Sequence, residues 1–295
     1  MSVVVTGAGG YIGTHLVAAL RREGADVVAM VRPGRRTPLP EGLAVVEGDV
    51  TDPASLPGCL HRDDRVVHLA CLALQPSEED PEHAFATNTF GTFNVLRAAA
   101  AAGVARVVLA SSSAVYGRPQ AATMDEHHPT RPTAVYGATK LAGEAFVPTF
   151  ACTATAGAAV LRLFNVFGKA ADGRPRPTFE TLIAERARAS LPVTVSSTEE
   201  ARDFVHVGDV VGALVAAVRS SVEGVYNIGS GRATRLHDLA LAAGVAPANL
   251  FVKAAAGPPA PMSFAADIAR ARRDLGFRPT LDVVDFVQSL AGEPQ

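Results

Sequence analysis

The sequence is poor in cysteine, nearly balanced in charge and free of long apolar runs, and each shortage closes off a class of function. Its three cysteines, Cys59, Cys71 and Cys152, are odd in number, far apart and without metal-ligand spacing. A reducing, cytoplasmic compartment therefore fits best. A formal charge of −2 gives no basic surplus for neutralising phosphates. That argues against a nucleic-acid partner, while leaving room for a local basic pocket. No stretch approaches the roughly eighteen apolar residues of a membrane span, so no membrane partner is expected. The apolar run from Ser2 meets a glycine cluster by Gly7, too soon for a signal peptide. His127 and His128 are adjacent rather than a helical turn apart and have no supporting cluster. They read as surface loop, and no metal site is expected.

What is present is 295 residues, 48% of them hydrophobic, enough to bury a substantial core in one large domain or two closely joined ones. Short Val/Ile/Leu-rich runs alternate with helical patterns, which predicts βαβ units around a parallel sheet. Strands are expected at 3–6, 26–31, 44–47, 65–69, 106–110 and 158–163, nearly continuous apolar runs suited to burial on both faces. Helices are expected at 11–23, 82–102 and 135–150. In the middle one Phe85, Asn88, Thr92, Val95, Leu96 and Ala99 fall on one stripe. Past Asn165 the rhythm breaks, and 168–177 is rich in Gly, Pro and Arg. The expected fold is α/β, a Rossmann-type doubly wound parallel sheet with a smaller C-terminal substrate-binding region. Residues 1–164 would form the dinucleotide-binding domain, with 203–219 returning to it, and 165–202 with 220–295 the smaller region.

The first strand runs into Thr6-Gly7-Ala8-Gly9-Gly10-Tyr11-Ile12-Gly13, followed by a helix. Gly7, Gly10 and Gly13 allow a tight turn, bare backbone against a pyrophosphate and close helix–strand packing. The helix N-terminus offers free N–H groups and a positive dipole end. Taken alone, this is also a plain glycine-rich turn, and the strand–helix context is what favours a cofactor. A NAD-specific fold would place an acid at the end of the second strand. Here Met30-Val31-Arg32-Pro33-Gly34-Arg35-Arg36 has none. Arg32, with Arg35 or Arg36, could clamp a 2′-phosphate, unless the stretch is a solvated basic loop. Asp49, before Val50, could accept from an adenine amino group or cap the short helix after Asp52-Pro53.

Tyr136 and Lys140, at i and i+4, share a helix face. A phenol with an ordinary pKa of roughly 10 is a poor proton shuttle at neutral pH, and a neighbouring ammonium and a nicotinamide cation would lower it. The alternative is an ordinary pair on an amphipathic helix. The serines of Ser111-Ser112-Ser113-Ala114-Val115-Tyr116-Gly117, directly after the fifth strand, change the odds. One hydroxyl there can hold and orient a reacting oxygen, although consecutive serines also make polar turns.

With Val67-His68-Leu69-Ala70, Asn88 before Gly91-Thr92, the Leu161–Gly168 stretch, Arg202-Asp203-Phe204 and Tyr226-Asn227-Ile228-Gly229, these motifs resemble the extended short-chain dehydrogenase/reductase family across nearly the whole chain. The likeness is strongest to its nucleotide-sugar epimerase/dehydratase branch. The resemblance implies that Tyr136 is the catalytic acid/base and that Lys140 holds the cofactor ribose and tunes it. It implies that Ser112 binds the reacting oxygen, with Ser113 as the fallback. Gly7, Gly10, Tyr11, Ile12, Gly13, Arg32, Asp49, Val50, Leu69, Ala70 and Cys71 would meet the cofactor, with backbone near Phe164 at its nicotinamide end. Asn165 and Arg202 match positions that contact the sugar nucleotide's diphosphate, though Arg202 could instead simply pair with Asp203.

The departures are specific. Ser113 and Ala114 stand where dehydrating relatives carry an acidic pair, which argues against a 4,6-dehydratase. Val31 replaces the acid of NAD-retaining epimerases, the segment 196–201 lacks the usual glycines, and the C-terminal region is short. The expectation is an NADPH-dependent 4-ketoreductase of a nucleoside-diphosphate 4-keto-6-deoxyhexose, with NADP(H) preferred and NAD(H) possible. The alternatives are an NAD-dependent nucleotide-sugar 4-epimerase resembling UDP-galactose 4-epimerases and, further off, a non-catalytic dinucleotide sensor. A homodimer packed through the 82–102 and 135–150 helices is also expected.

Overall fold

In the computed structural model, residues 2–34, 39–153, 156–174, 176, 178–253 and 263–292 are described. Arg35 and Arg36 lie outside them. Seven strands form one parallel sheet: β1 (Val3–Thr6), β2 (Val27–Val31), β3 (Ala44–Glu47), β4 (Arg65–His68), β5 (Arg106–Ser112), β6 (Gly157–Leu163) and β7 (Gly224–Ile228). Their order across the sheet is β7-β6-β5-β4-β1-β2-β3. The chain winds outward in both directions from β1 and β4, so a crevice opens at their carboxyl ends, where the order reverses. Every strand was legible as an apolar run except β7. Residues 224–228 were expected in the smaller region, but Tyr226 and Ile228 are buried against β6. Their polar neighbour Asn227 masks the run, because its side chain is satisfied inside rather than by water.

On one side of the sheet, helices α1 (Tyr11–Arg22) and α5 (Val207–Arg219) bury Leu16, Leu20, Leu214 and Val218 against β1, β5 and β6. On the other, α2 (Gly91–Ala102) and α3 (Val135–Thr153) bury Val95, Leu96, Val147 and Phe150. The expected stripe on the first of these holds from Asn88 to Ala99 but fails at Phe85, which is 59% exposed. A π-helical turn, Phe85–Phe90, precedes α2. Its wider spacing breaks the 3.6-residue register on which that stripe was drawn.

A third core gathers Phe167, Ile183, Val195, Phe204, Leu239 and Val287 over the carboxyl edge of the sheet. It joins helix α4 (Phe179–Arg188) to a small sheet built from Asn165–Phe167, Ala201–His206 and Ala233–Arg235. The buried Asp203 carboxylate holds this region to the main body. It accepts from the amides of Ser230 (2.6 Å), Gly231 (2.9 Å) and Ala266 (2.9 Å), which converge on it in place of a cation. Among the described residues, no helix is long and apolar enough to cross a membrane.

Candidate active site

The crevice is a cleft of about 420 Å³. Its floor is the glycine turn, and its walls come from the ends of β2, β3 and β4. The turn needs Gly7 because its φ of +65° is left-handed and a Cβ there would stand 2.7 Å from the Ala70 amide nitrogen. A ligand can therefore lie against bare backbone at the start of α1. Of the expected cofactor residues, Gly7, Gly10, Arg32, Asp49, Val50, Leu69, Ala70 and Cys71 all line this cleft. Arg32 is exposed at its rim and makes no hydrogen bond or ion pair with the described residues.

Other expected residues are placed differently. Gly13 is buried on α1, and Ile12 packs on the core below. The Tyr11 ring turns away to lie under the Arg176 guanidinium, 4.0 Å from its centroid. Asp49 does not cap the short helix Pro53–Ser55; Asp52 does, accepting from Ala54 N at 3.0 Å. The Asp49 carboxylate instead accepts from Thr51 N and Oγ1 at 2.9 and 2.8 Å. The Phe164 amide is spent on the Ile228 carbonyl, and its ring is buried between Tyr116 and Phe264. Asn165 Nδ2 donates to the Asp203 carbonyl at 2.8 Å. Arg202 pairs with Glu200 at 2.5 Å, not with Asp203, whose carboxylate already accepts from backbone amides.

Ser112, Tyr136 and Lys140 come together. Ser112 ends β5, and its hydroxyl accepts from Ala114 N at 3.2 Å and stands close enough to the Tyr136 phenol to favour its ionised form. Ser113 opens the next turn and makes no such contact. The chain approaches α3 so closely that a Cβ on Gly137 would stand 2.4 Å from the Ala114 carbonyl oxygen. Burial, with the Cys71 thiol nearby, pushes the Tyr136 phenol above its usual range, and the Ser112 hydroxyl draws it back only in part. The expected lowering of this phenol by the neighbouring ammonium is not seen: Lys140 is not among the groups that shift it, and burial is the largest effect. Lys140 is itself buried and forms no ion pair among the described residues. An unpaired buried ammonium is costly, so its site suits a ligand rich in hydroxyl or anionic oxygens.

Beneath this set lies polar architecture to which the sequence reading gave no role. Imidazole His68 is fully buried between Thr6 Oγ1 (2.7 Å) and Thr92 Oγ1 (3.1 Å). Thr92 donates its hydroxyl proton to the Asn88 carbonyl, so His68 donates from Nε2 and accepts at Nδ1. Burial, then the Lys140 charge, lowers its pKa from 6.5 to about 3. Glu144, a further turn along the Tyr136–Lys140 face, takes Arg162 in a two-pronged pair at 3.0 and 2.7 Å and accepts from Ser111. Arg162 also donates to the Tyr116 hydroxyl at 3.1 Å, and that hydroxyl donates to Asn227 at 2.6 Å. The spacing 136, 140, 144 was the available signal for Glu144. Nothing local marks its partner on β6.

Comparison with known proteins bears on what this arrangement does. The chain matches the NAD dependent epimerase/dehydratase family over residues 3–229. It is 31% identical to a UDP-glucose 4-epimerase of Azospirillum brasilense over 312 residues, covering 97% of this chain and 89% of that protein. Among solved structures it is similar to MoeE5 in complex with UDP-glucose and NAD, with 33% identity, a TM-score of 0.82 and coverage of 99% and 97%. It is likewise similar to the Thermus thermophilus UDP-glucose 4-epimerase in complex with NAD, with 30% identity, a TM-score of 0.80 and coverage of 99% and 98%.

Proposed function

Because the chain belongs to the NAD dependent epimerase/dehydratase family, we propose that it is a nucleotide-sugar 4-epimerase that takes a UDP-hexose and works with a retained NAD. The observation that carries this is the placing of the Ser112 hydroxyl near the Tyr136 phenol beside a glycine-floored cleft. The cleft fits a dinucleotide: its floor is one that a Cβ would fill, and the largely buried Lys140 forms no ion pair with the described residues. NAD, when bound, would supply the hydride acceptor and donor, and its nicotinamide cation would favour the ionised phenol. Tyr136, as the phenolate, would take the proton of the sugar's 4-hydroxyl as that carbon is oxidised to a ketone and would return it as the ketone is reduced. Ser112 holds the oxygen throughout. Inversion requires the ketone to present its other face, so the sugar must have room to turn in the crevice under the smaller region.

A different reaction, NADPH-dependent reduction of a 4-keto sugar, is favoured by one feature. Arg32 stands at the cleft rim without an ion pair to the described residues, next to Val31 where an acid would hold a ribose hydroxyl. The relatives' names favour the epimerase. Product analysis by NMR, with UDP-glucose or UDP-galactose and no added cofactor, separates the two. The epimerase interconverts them, whereas a reductase leaves both untouched and consumes NADPH only with a keto sugar. We also propose that the protein is a homodimer packed through α2 and α3.

A further inference from the structure

The amide of Tyr136 is among the first N–H groups of α3, which the helix cannot satisfy itself. The preceding residues Thr133, Ala134 and Val135 make no side-chain cap to it. Its acceptor comes from 58 residues away: Glu78 Oε1, at 3.0 Å. Glu78 lies on the short helix Leu74–Glu79, which follows the cleft-lining stretch from Leu69 to Leu72. That stretch is pinned at its other end by Asn88, which accepts from Leu72 N at 2.7 Å and donates to the Leu72 carbonyl at 3.1 Å. Asn88 Nδ2 also donates to Thr139 Oγ1 on α3, at 3.1 Å. The wall of the cleft is thus tied to the tyrosine-bearing helix at two points, and one of them is an exposed carboxylate at the amide of the reacting residue itself.

We propose that Glu78 is a positioning residue for the reaction, fixing the start of α3 against the cofactor wall. As an acceptor at a helix N-terminus it holds the Tyr136 backbone, and with it the root of the phenol side chain, in place. The groups acting on the phenol itself are Cys71 on the cofactor wall and Ser112 at the end of β5. Glu78 is the carboxylate bonded directly to the residue. It is also the one exposed enough to replace without disturbing the core.

This inference rests on the proposed role of Tyr136, and two variants of the full-length holoenzyme separate its parts. Glu78→Gln keeps an oxygen acceptor and removes the charge, whereas Glu78→Ala removes both. Hydrogen exchange read by mass spectrometry on the peptide containing Tyr136 reports the tether whether or not the enzyme acts on UDP-hexoses. Protection should fall in the alanine variant and persist in the glutamine variant. In Glu78→Gln, which keeps the acceptor, kcat should stay within about twofold of the wild type. In Glu78→Ala, kcat should drop about three- to tenfold with the KM for sugar nucleotide unchanged. Unchanged exchange in Glu78→Ala, or an alanine variant with wild-type kcat, would overturn the proposal. A wild-type enzyme inactive on UDP-hexoses but with the expected exchange pattern would count against the 4-epimerase reading and leave the tether standing.

Discussion

Tyr136 sits where burial and the Cys71 thiol raise its pKa and the Ser112 hydroxyl lowers it. Removing its oxygen leaves the ring's packing intact, so Tyr136→Phe should lower turnover by roughly a hundredfold or more while dinucleotide affinity is retained. Steady-state kinetics beside a binding titration check this, and near-normal turnover would move the chemistry elsewhere. His68 makes a different prediction. Its folded pKa, about 3, lies below the ordinary 6.5, so the unfolded chain binds a proton that the folded one does not. The stabilisation is fully present above pH 6.5 and is lost as pH falls toward 3, at up to about 1.4 kcal/mol per unit. Denaturant midpoints measured at pH 7 and 5 should drop more for the wild type than for a His68→Asn variant. At this scale the sequence marked residues that line the cleft or stand beside it, since turn glycines, serines and the Tyr–Lys spacing are local signals. It did not reveal the role of His68, whose partners Thr6 and Thr92 lie on other elements.

Strand β6 and helix α3 are joined by a side-chain link that no run of residues announces. The register that sets Ser111 opposite Arg162 on neighbouring strands also brings Arg162 under Glu144. The pair therefore fixes the end of β5, with Ser112, against the helix carrying Tyr136 and Lys140. Glu144→Ala would leave the Arg162 charge buried and unpaired, at a cost of about 3–5 kcal/mol. Chemical denaturation should show that loss, and a change under 1 kcal/mol would mean the pair does not hold the two elements. The strands and helices were readable because parallel strands buried on both faces are continuous apolar runs and the flanking helices keep one apolar stripe. The π-helical turn was not, because a single widened turn leaves no mark in composition.

The outward face of the whole molecule carries Phe85, Phe90 and Phe93, respectively 59%, 41% and 37% exposed. Phe90 stacks on Phe93, and Phe93 meets Phe146 of α3 edge-on. An aromatic row of this kind across two adjacent helices suits a twin of itself about a two-fold axis. Light scattering at micromolar concentration should give the dimer mass, and Phe90→Lys with Phe93→Lys should give the monomer. A monomeric wild type would reject that assembly. The central claim is that Ser112 and Tyr136 guide a hydride away from one sugar carbon and back to the same carbon. It is tested most directly with UDP-galactose carrying deuterium at C4 and no added dinucleotide. The account predicts UDP-glucose with the deuterium still at C4 and none in solvent. Label lost to water, or no turnover unless NADPH and a keto sugar are supplied, would contradict it.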